Sequence, residues 1–327
     1  MNQLYFSEEQ NMLREQIRRF VEQEIVPNGE AWEEDGFVPR DVLRKMGDLG
    51  FLGIRYGEEY GGSNMNTLSS VILAEELGRS SFGGFAVTVM VHTDMASPHL
   101  ENFGNKAQKD KYMPDLISGK KICAVGVTEP DAGSDVAGMR TTAVEDGDSY
   151  VLNGSKMFIT NGVKGDVYFV AAKTDTTVKA SRGVTIFIVE KGTPGFTVSR
   201  ALDKQGWRSS DTAELVFDNC RVPKENILGE LNKGFYSIMR NFQNERTVLA
   251  AQSIGEAAKA LEITLQYVQE RKAFGETLWD KQTIRQRLAM LQAKVEAGRQ
   301  LTYHAAWLDS MGQDCVKEVS MAKAFCC

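Results

Sequence analysis

The chain has 327 residues, more than one ordinary core can serve, so two or three domains are expected. Its 42% apolar and 25% charged residues are those of a globular protein, no apolar run reaches membrane-spanning length, and a net charge of -6 with scattered Lys and Arg excludes a basic nucleic-acid-binding face. Five cysteines without CxxC spacing and three histidines without HExxH offer neither a disulfide framework nor a metal site, and no metal is expected. The first residues carry neither a signal segment nor an Arg-rich transit peptide, so the chain reads as cytoplasmic.

In chain order, residues 1–119 read as a helical domain. Ser7 and Gln10 form a capping box, after which Leu13, Ile17, Phe20 and Val21 recur at helical spacing until Pro27. Pro39 opens a short helix with Val42, Leu43 and Met46, ended by Gly47 or Gly50. Gly57 to Gly62 is a loop, and from Asn66 a helix carries Leu68, Val71, Ile72, Leu73 and Leu77. Phe82 to Leu100 is apolar nearly all round and should be a buried helix, with His92 and Asp94 as hydrogen-bonded core residues. A charged, solvated helix with Lys106, Lys109, Asp110 and Lys111 closes the domain.

Between residues 120 and 229 the hydrophobic period changes to two. Tyr150 to Leu152, Val167 to Ala172, Val184 to Glu190, Phe196 to Val198 and Ala213 to Phe217 are strands separated by Gly, Asp and Pro clusters, as in an antiparallel β barrel or sandwich. Asp146-Gly147 and Asn153-Gly154 both signal tight turns. Residues 230–327 return to helix, and Lys281 to Met311 bears a stripe of Ile284, Leu288, Leu291, Val295 and Leu301. The fold class is therefore α+β multidomain, with helical, β and helical parts in that order.

Two strings stand out. Ile122 to Val127 is an apolar run that breaks into a loop, Thr128 to Asp135 (TEPDAGSD), rich in amides and hydroxyls. Further on, Asn153 to Gly162 (NGSKMFITNG) places Phe158 and Thr160 alternately on one strand face, an aromatic plane beside a hydroxyl that suits a flat heteroaromatic ring. On the residues alone, core packing for Phe158 and plain β filling for Thr160 are the readings a strand face favours. On the long helix after Lys233, Ile238, Phe242, Glu245 and Leu249 share one arc, so a carboxylate lies within an apolar stripe. Desolvation would raise its pKa toward a general base's range; an ion pair with Arg246 or Arg240 is the alternative. No G-x-G-x-x-G, P-loop or G-x-S-x-G motif occurs, so a dinucleotide would not be held in the Rossmann manner.

TEPDAGSD followed by NGSKMFITNG resembles the flavin-seating part of the acyl-CoA dehydrogenase family, and the likeness continues through Asp203 to Glu230. The resemblance implies FAD as cofactor, with Val125, Val127, Thr128, Gly133, Ser134, Phe158, Ile159 and Thr160 around the ring, and a contact from Trp207. Glu245-Arg246-Thr247-Val248-Leu249-Ala250 is similar to the E-R-x-x-x-A helix that carries the catalytic base in long-chain and isovaleryl members, which makes Glu245 the base. Ser134, Tyr236, Phe242, Gln243, Asn244 and Arg246 would contact the acyl-CoA. Arg271, Phe274 and Gln282 resemble the family's pyrophosphate contacts made across a dimer interface; a helix-terminal arginine beside a cap glycine, Gly275, is the ligand-free alternative.

The implied reaction is α,β-dehydrogenation of an acyl-CoA thioester to a trans-2-enoyl-CoA, as in fatty-acid β-oxidation. An electron-transferring flavoprotein would be the acceptor, and a homodimer or homotetramer the assembly. An oxidase or flavin monooxygenase using oxygen, and a truncated non-catalytic acyl-CoA binder, are the alternatives. The last is raised because the chain ends at Cys326-Cys327, inside what resembles a family helix, so the C-terminal bundle reads as truncated.

Overall fold

The computed structural model describes residues 4–327. Its helices are α1 (Glu8–Phe20), α2 (Gly29–Asp35), α3 (Arg40–Asp48), α4 (Thr67–Gly78), α5 (Gly83–Met90), α6 (Ser97–Phe103), α7 (Lys106–Ile117), α8 (Gly234–Glu270), α9 (Gln282–Ser310) and α10 (Val316–Cys326). Its strands are β1 (Cys123–Gly126), β2 (Thr142–Asp146), β3 (Ser149–Thr160), β4 (Val167–Lys173), β5 (Val184–Glu190), β6 (Phe196–Ala201), β7 (Thr212–Pro223), β8 (Ile227–Leu228), β9 (Lys272–Ala273) and β10 (Glu276–Thr277). The order is helical, then β, then helical. The chain forms two compact units: one holds residues up to Gly29, Met65–Ala86 and Glu245–Cys327, the other Glu30–Asn64 and Val87–Asn244.

The first unit is built of helices around α4. Ser7 caps α1 through the backbone of Gln10, whose side chain returns a bond to the Ser7 amide, so the capping box forms as expected. Every residue of α4 is buried, which explains why its sequence shows no polar face. Close approach to α8 is made possible by small residues: a Cβ on Gly255 would lie 2.0 Å from the Glu75 carbonyl oxygen. On α9 the expected stripe is only half covered, since Ile284, Leu288, Val295 and Leu301 are half-buried and Leu291 is exposed.

In the second unit, one eight-stranded sheet runs β6-β7-β3-β2-β4-β5-β8, and β1 pairs parallel to β4. Most ladders are antiparallel, and β2 meets β4 in parallel. One face draws Tyr150, Leu152, Tyr168, Val170, Phe187, Leu215 and Phe217 from four strands into a single core, so the sheet curls on itself. The other face, with Phe169, Ile186 and Ile188, packs on Leu100, Tyr112, Met113 and Ile238 of α6, α7 and α8. The alternation along β4 and β5 thus fills both faces, which is why those runs look uniformly apolar.

Local signals were overruled in three places. Asn153-Gly154 is not a turn: it lies inside the twelve-residue β3, where Gly154 has φ +146 at a register shift against β7 and a Cβ would sit 2.5 Å from Thr141 Oγ1. It is a bulge, the other use of glycine in a strand. Asp146-Gly147 does form the β2–β3 hairpin turn, with Gly147 at φ +64. The expected single helix over residues 82–100 is α5 and α6 joined by a π-helical turn at Val91–Ala96. Gly275 caps no helix; with Phe274 it makes the φ-positive turn of the β9–β10 hairpin. Finally, α2 lacks a legible pattern because Trp32 is its one large apolar residue facing inward.

Candidate functional site

The two singled-out strings meet at the end of β1. The Met157 amide donates to the Thr128 carbonyl at 2.9 Å, a backbone tie between the two strings just beyond the end of β1. Lys156, fully buried, donates its Nζ to Glu129 Oε1 at 2.6 Å and to the Val127 carbonyl at 3.2 Å. Glu129 also accepts from the amides of Arg140 and Thr141 and closes a narrow loop through paired backbone bonds with Ala132. Burial opposes the Glu129 charge, but the Lys156 ammonium reverses that and holds the carboxyl below its usual range. Burial brings Lys156 down to about 8, with Glu129 pulling the other way, so the pair is ionised at neutral pH.

This tie leaves a row of groups unspent. The hydroxyls of Thr128, Ser134 and Thr160 remain accessible and make no hydrogen bond among the described residues. Phe158 is 64% exposed and adopts φ +62, a costly conformation for an aromatic residue. The cause is the second bulge of β3, between Lys156 and Ile159: Tyr150, Leu152 and Lys156 are buried, and after Phe158 the buried side passes to Ile159. Phe158 and Thr160 thus both stay accessible, through a bulge rather than by simple alternation, and core packing does not account for Phe158. Strain held at an exposed aromatic is a mark of function. Ile159 packs into the sheet core, so only its main chain is left to meet a ligand. Val125 and Val127 are half-buried, and Gly133 is exposed with open space where a Cβ would stand.

The turn after Thr160 is rigid. Asn161, buried at φ +61, donates to the carbonyls of Thr88 and Cys123, and its amide bonds the Asp211 carbonyl. The Asp211 carboxylate receives the amides of Val163 and Lys164. The polar loop before β7 therefore comes back to the end of the Phe158 strand and carries Trp207, 45% exposed at φ +52. Lys156, Glu129, Asn161 and Asp211 were not singled out from the sequence. The signal for Lys156 was available: it shares the even positions of β3 with the buried Tyr150 and Leu152.

Expected core roles for His92 and Asp94 hold. His92 bonds the Leu116 carbonyl at 2.9 Å and the Cys123 amide at 3.2 Å, and Asp94 accepts from Thr93 Oγ1 at 2.7 Å. The His92–Cys123 pair has the look of a nucleophilic dyad, but burial drives Cys123 up to about 12 and His92 down to about 4, so the thiol stays protonated and inert. Among the described residues no group of His, Cys, Asp and Glu could hold a metal ion.

Along α8, a cleft of about 900 Å³ in the second unit is lined by Phe103, Asn105, Lys233, Tyr236 and Arg240. Tyr236 is 51% exposed within it. Asn244 is held on both sides: its amide donates to the Asp94 carbonyl at 2.7 Å and its Oδ1 accepts from Arg55 at 2.5 Å. Phe242 packs against the helix-side core, and Gln243, Glu245 and Arg246 are half-buried. In the first unit, Arg271 is exposed just beyond α8, Phe274 is 97% exposed at the hairpin tip, and Gln282 is exposed at the start of α9.

The residues around β1 and β3 fit a flavin: three unspent hydroxyls, an outward aromatic ring and a glycine-opened loop are what a flat ring with polar edges requires. Comparison with known proteins agrees. Profiles for the N-terminal, middle and C-terminal domains of acyl-CoA dehydrogenases match residues 7–120, 124–220 and 232–327. The acyl-CoA dehydrogenase of Bacillus subtilis is 41% identical over 98% of this chain and 84% of its own length. The mitochondrial isovaleryl-CoA dehydrogenase of Pongo abelii is 42% identical over 92% of this chain and 71% of its own. Among solved structures, an acyl-CoA dehydrogenase from Geobacillus kaustophilus superposes with a TM-score of 0.94 at 41% identity, covering 97% of this chain and 83% of the other. An FAD complex of PigA does so at 0.94 and 30% identity, covering 98% and 84%.

Proposed function

Since the chain belongs to the acyl-CoA dehydrogenase family and is an FAD-dependent oxidoreductase, we propose that it dehydrogenates an acyl-CoA between Cα and Cβ, with Glu245 as the base. The observation that carries the reading is the seat at β1 and β3, where hydroxyls and an aromatic ring are held outward by buried anchors and left without partners. FAD held at this seat would supply the acceptor for the hydride that leaves Cβ.

The chain's own residues supply the rest. An α C–H beside a thioester is a weak acid, so a carboxylate must be presented without full hydration. Glu245, half-buried in α8 at the head of E-R-x-x-x-A, suits that task and removes the proton. Asn244 immediately precedes it and is clamped by Arg55 and Asp94, which limits movement of that turn. Ser134, Tyr236, Phe242, Gln243, Asn244 and Arg246 contact the acyl-CoA, and the cleft with Lys233 and Arg240 receives its anionic arm. Thr128, Gly133, Ser134, Phe158 and Thr160 hold the flavin ring with the main chain of Val125, Val127 and Ile159.

Arg271, Phe274 and Gln282 serve the flavin pyrophosphate of a neighbouring copy, which makes the active form a homodimer or homotetramer. A phenylalanine 97% exposed on a tight hairpin is the feature that favours docking there. Electrons leave to an electron-transferring flavoprotein, the family's acceptor. The domain partition is 1–119, 120–229 and 230–327. Anaerobic titration with saturated acyl-CoAs of graded length, followed by admission of air, tests the reading: bleaching of the flavin band that air reverses only slowly supports it, and no bleaching with any chain, or rapid reoxidation in air with stoichiometric peroxide, contradicts it.

A further inference from the structure

We propose that Lys156 and Glu129 are positioning residues for the flavin, their ion pair setting the register in which the Thr128–Ser134 loop and the Phe158 bulge present their free groups together. The inference rests on the flavin seat described above. The pair joins the two segments that would touch the ring: Glu129 follows Thr128 directly, and Lys156 stands two residues before Phe158. Both side chains are almost wholly buried, 0% and 4% exposed, and neither reaches the ligand face.

Burying two charges is costly, and well-packed apolar residues would serve a plain core as well or better. What the pair adds is direction. Glu129 is gripped from two sides, by Lys156 and by the amides of Arg140 and Thr141, so its carboxylate cannot rotate without losing a charge-assisted bond. Lys156 also bonds the Val127 carbonyl, one residue before Thr128. The loop is therefore pinned at Val127, Glu129 and Ala132, while Thr128 and Ser134 between and beyond the pins keep their hydroxyls. On the other strand the pin falls just before the bulge, at the point where the buried side changes from Lys156 to Ile159. The surface pair Arg140–Asp131, 77% and 63% exposed, cannot substitute for it.

The test separates positioning from stability. Lys156→Met leaves Glu129 charged and unpaired, so it should lose both thermal stability and FAD affinity. The double variant Glu129→Gln with Lys156→Met keeps volume and removes both charges. It should regain a melting temperature near that of the wild type but bind FAD about tenfold or more weakly by fluorescence quenching. Its bound flavin should also show an altered visible circular dichroism band. A double variant with wild-type FAD affinity and dichroism overturns the proposal and leaves the flavin seat standing. A wild-type protein, stripped and refilled, that binds no FAD overturns both.

Discussion

Among the described residues, two buried charge clusters do different things. In the helical unit, Arg14, Arg18 and Arg299 surround Glu75 and Glu76, with Tyr303 donating to Glu75, and the network links α1, α4 and α9. Burial opposes the Glu75 charge, and Arg14 and Arg299 more than offset it, so its carboxyl lies below the usual range. In the β unit, Glu129 and Lys156 are just as buried. The difference lies around them. Apart from a buried Arg14 Nε, the helical cluster spends its groups on itself, whereas the Glu129–Lys156 tie is bordered by hydroxyls and an outward ring that make no hydrogen bond among the described residues. Buried charge alone therefore does not mark a site; unspent groups held rigidly beside it do.

The largest effect expected from breaking the comparison is at the helical cluster. Glu75→Leu leaves Arg14 and Arg299 without their shared partner and should cost about 3–5 kcal/mol in urea unfolding, with FAD affinity of the folded protein unchanged. Next come His92 and His99, which burial lowers to about 4 from the ordinary imidazole range. Because the unfolded chain takes up these protons first, stability should be intact above pH 6.5 and fall between about 6.5 and 4, by up to about 3 kcal/mol per histidine. His99→Gln should flatten that fall in a pH series of urea midpoints. The smallest effect separates strain from use: Phe158→Asn, which tolerates φ +62 better, should stabilise the fold by roughly 1 kcal/mol and weaken FAD binding.

Much of this was legible in the sequence, and the misses share a cause. Ser7 with Gln10, Asp146-Gly147 and the strand runs of the middle region are local signals whose partners lie a few residues away or across one ladder. Asn153-Gly154 carries the same turn chemistry, but its pairing with β7 and its contact with Thr141 make it a bulge. Gly275 likewise fits a helix cap until β9 and β10 pair around it. Phe158 and Thr160 were legible as a pair, while the bulge that turns the ring outward depends on where β7 sits. Lys156 was the cost of reading charge as surface: in a strand whose even positions are apolar, a lysine is a buried ion waiting for its carboxylate.

The central claim is that Glu245 removes the substrate's α-proton. Rapid anaerobic mixing of the FAD-loaded Glu245→Gln protein with the acyl-CoA that best bleaches the wild type tests it directly. Flavin reduction should slow by about 10²-fold to 10⁴-fold, with FAD content and acyl-CoA affinity retained. Reduction at the wild-type rate by the glutamine variant would contradict the account.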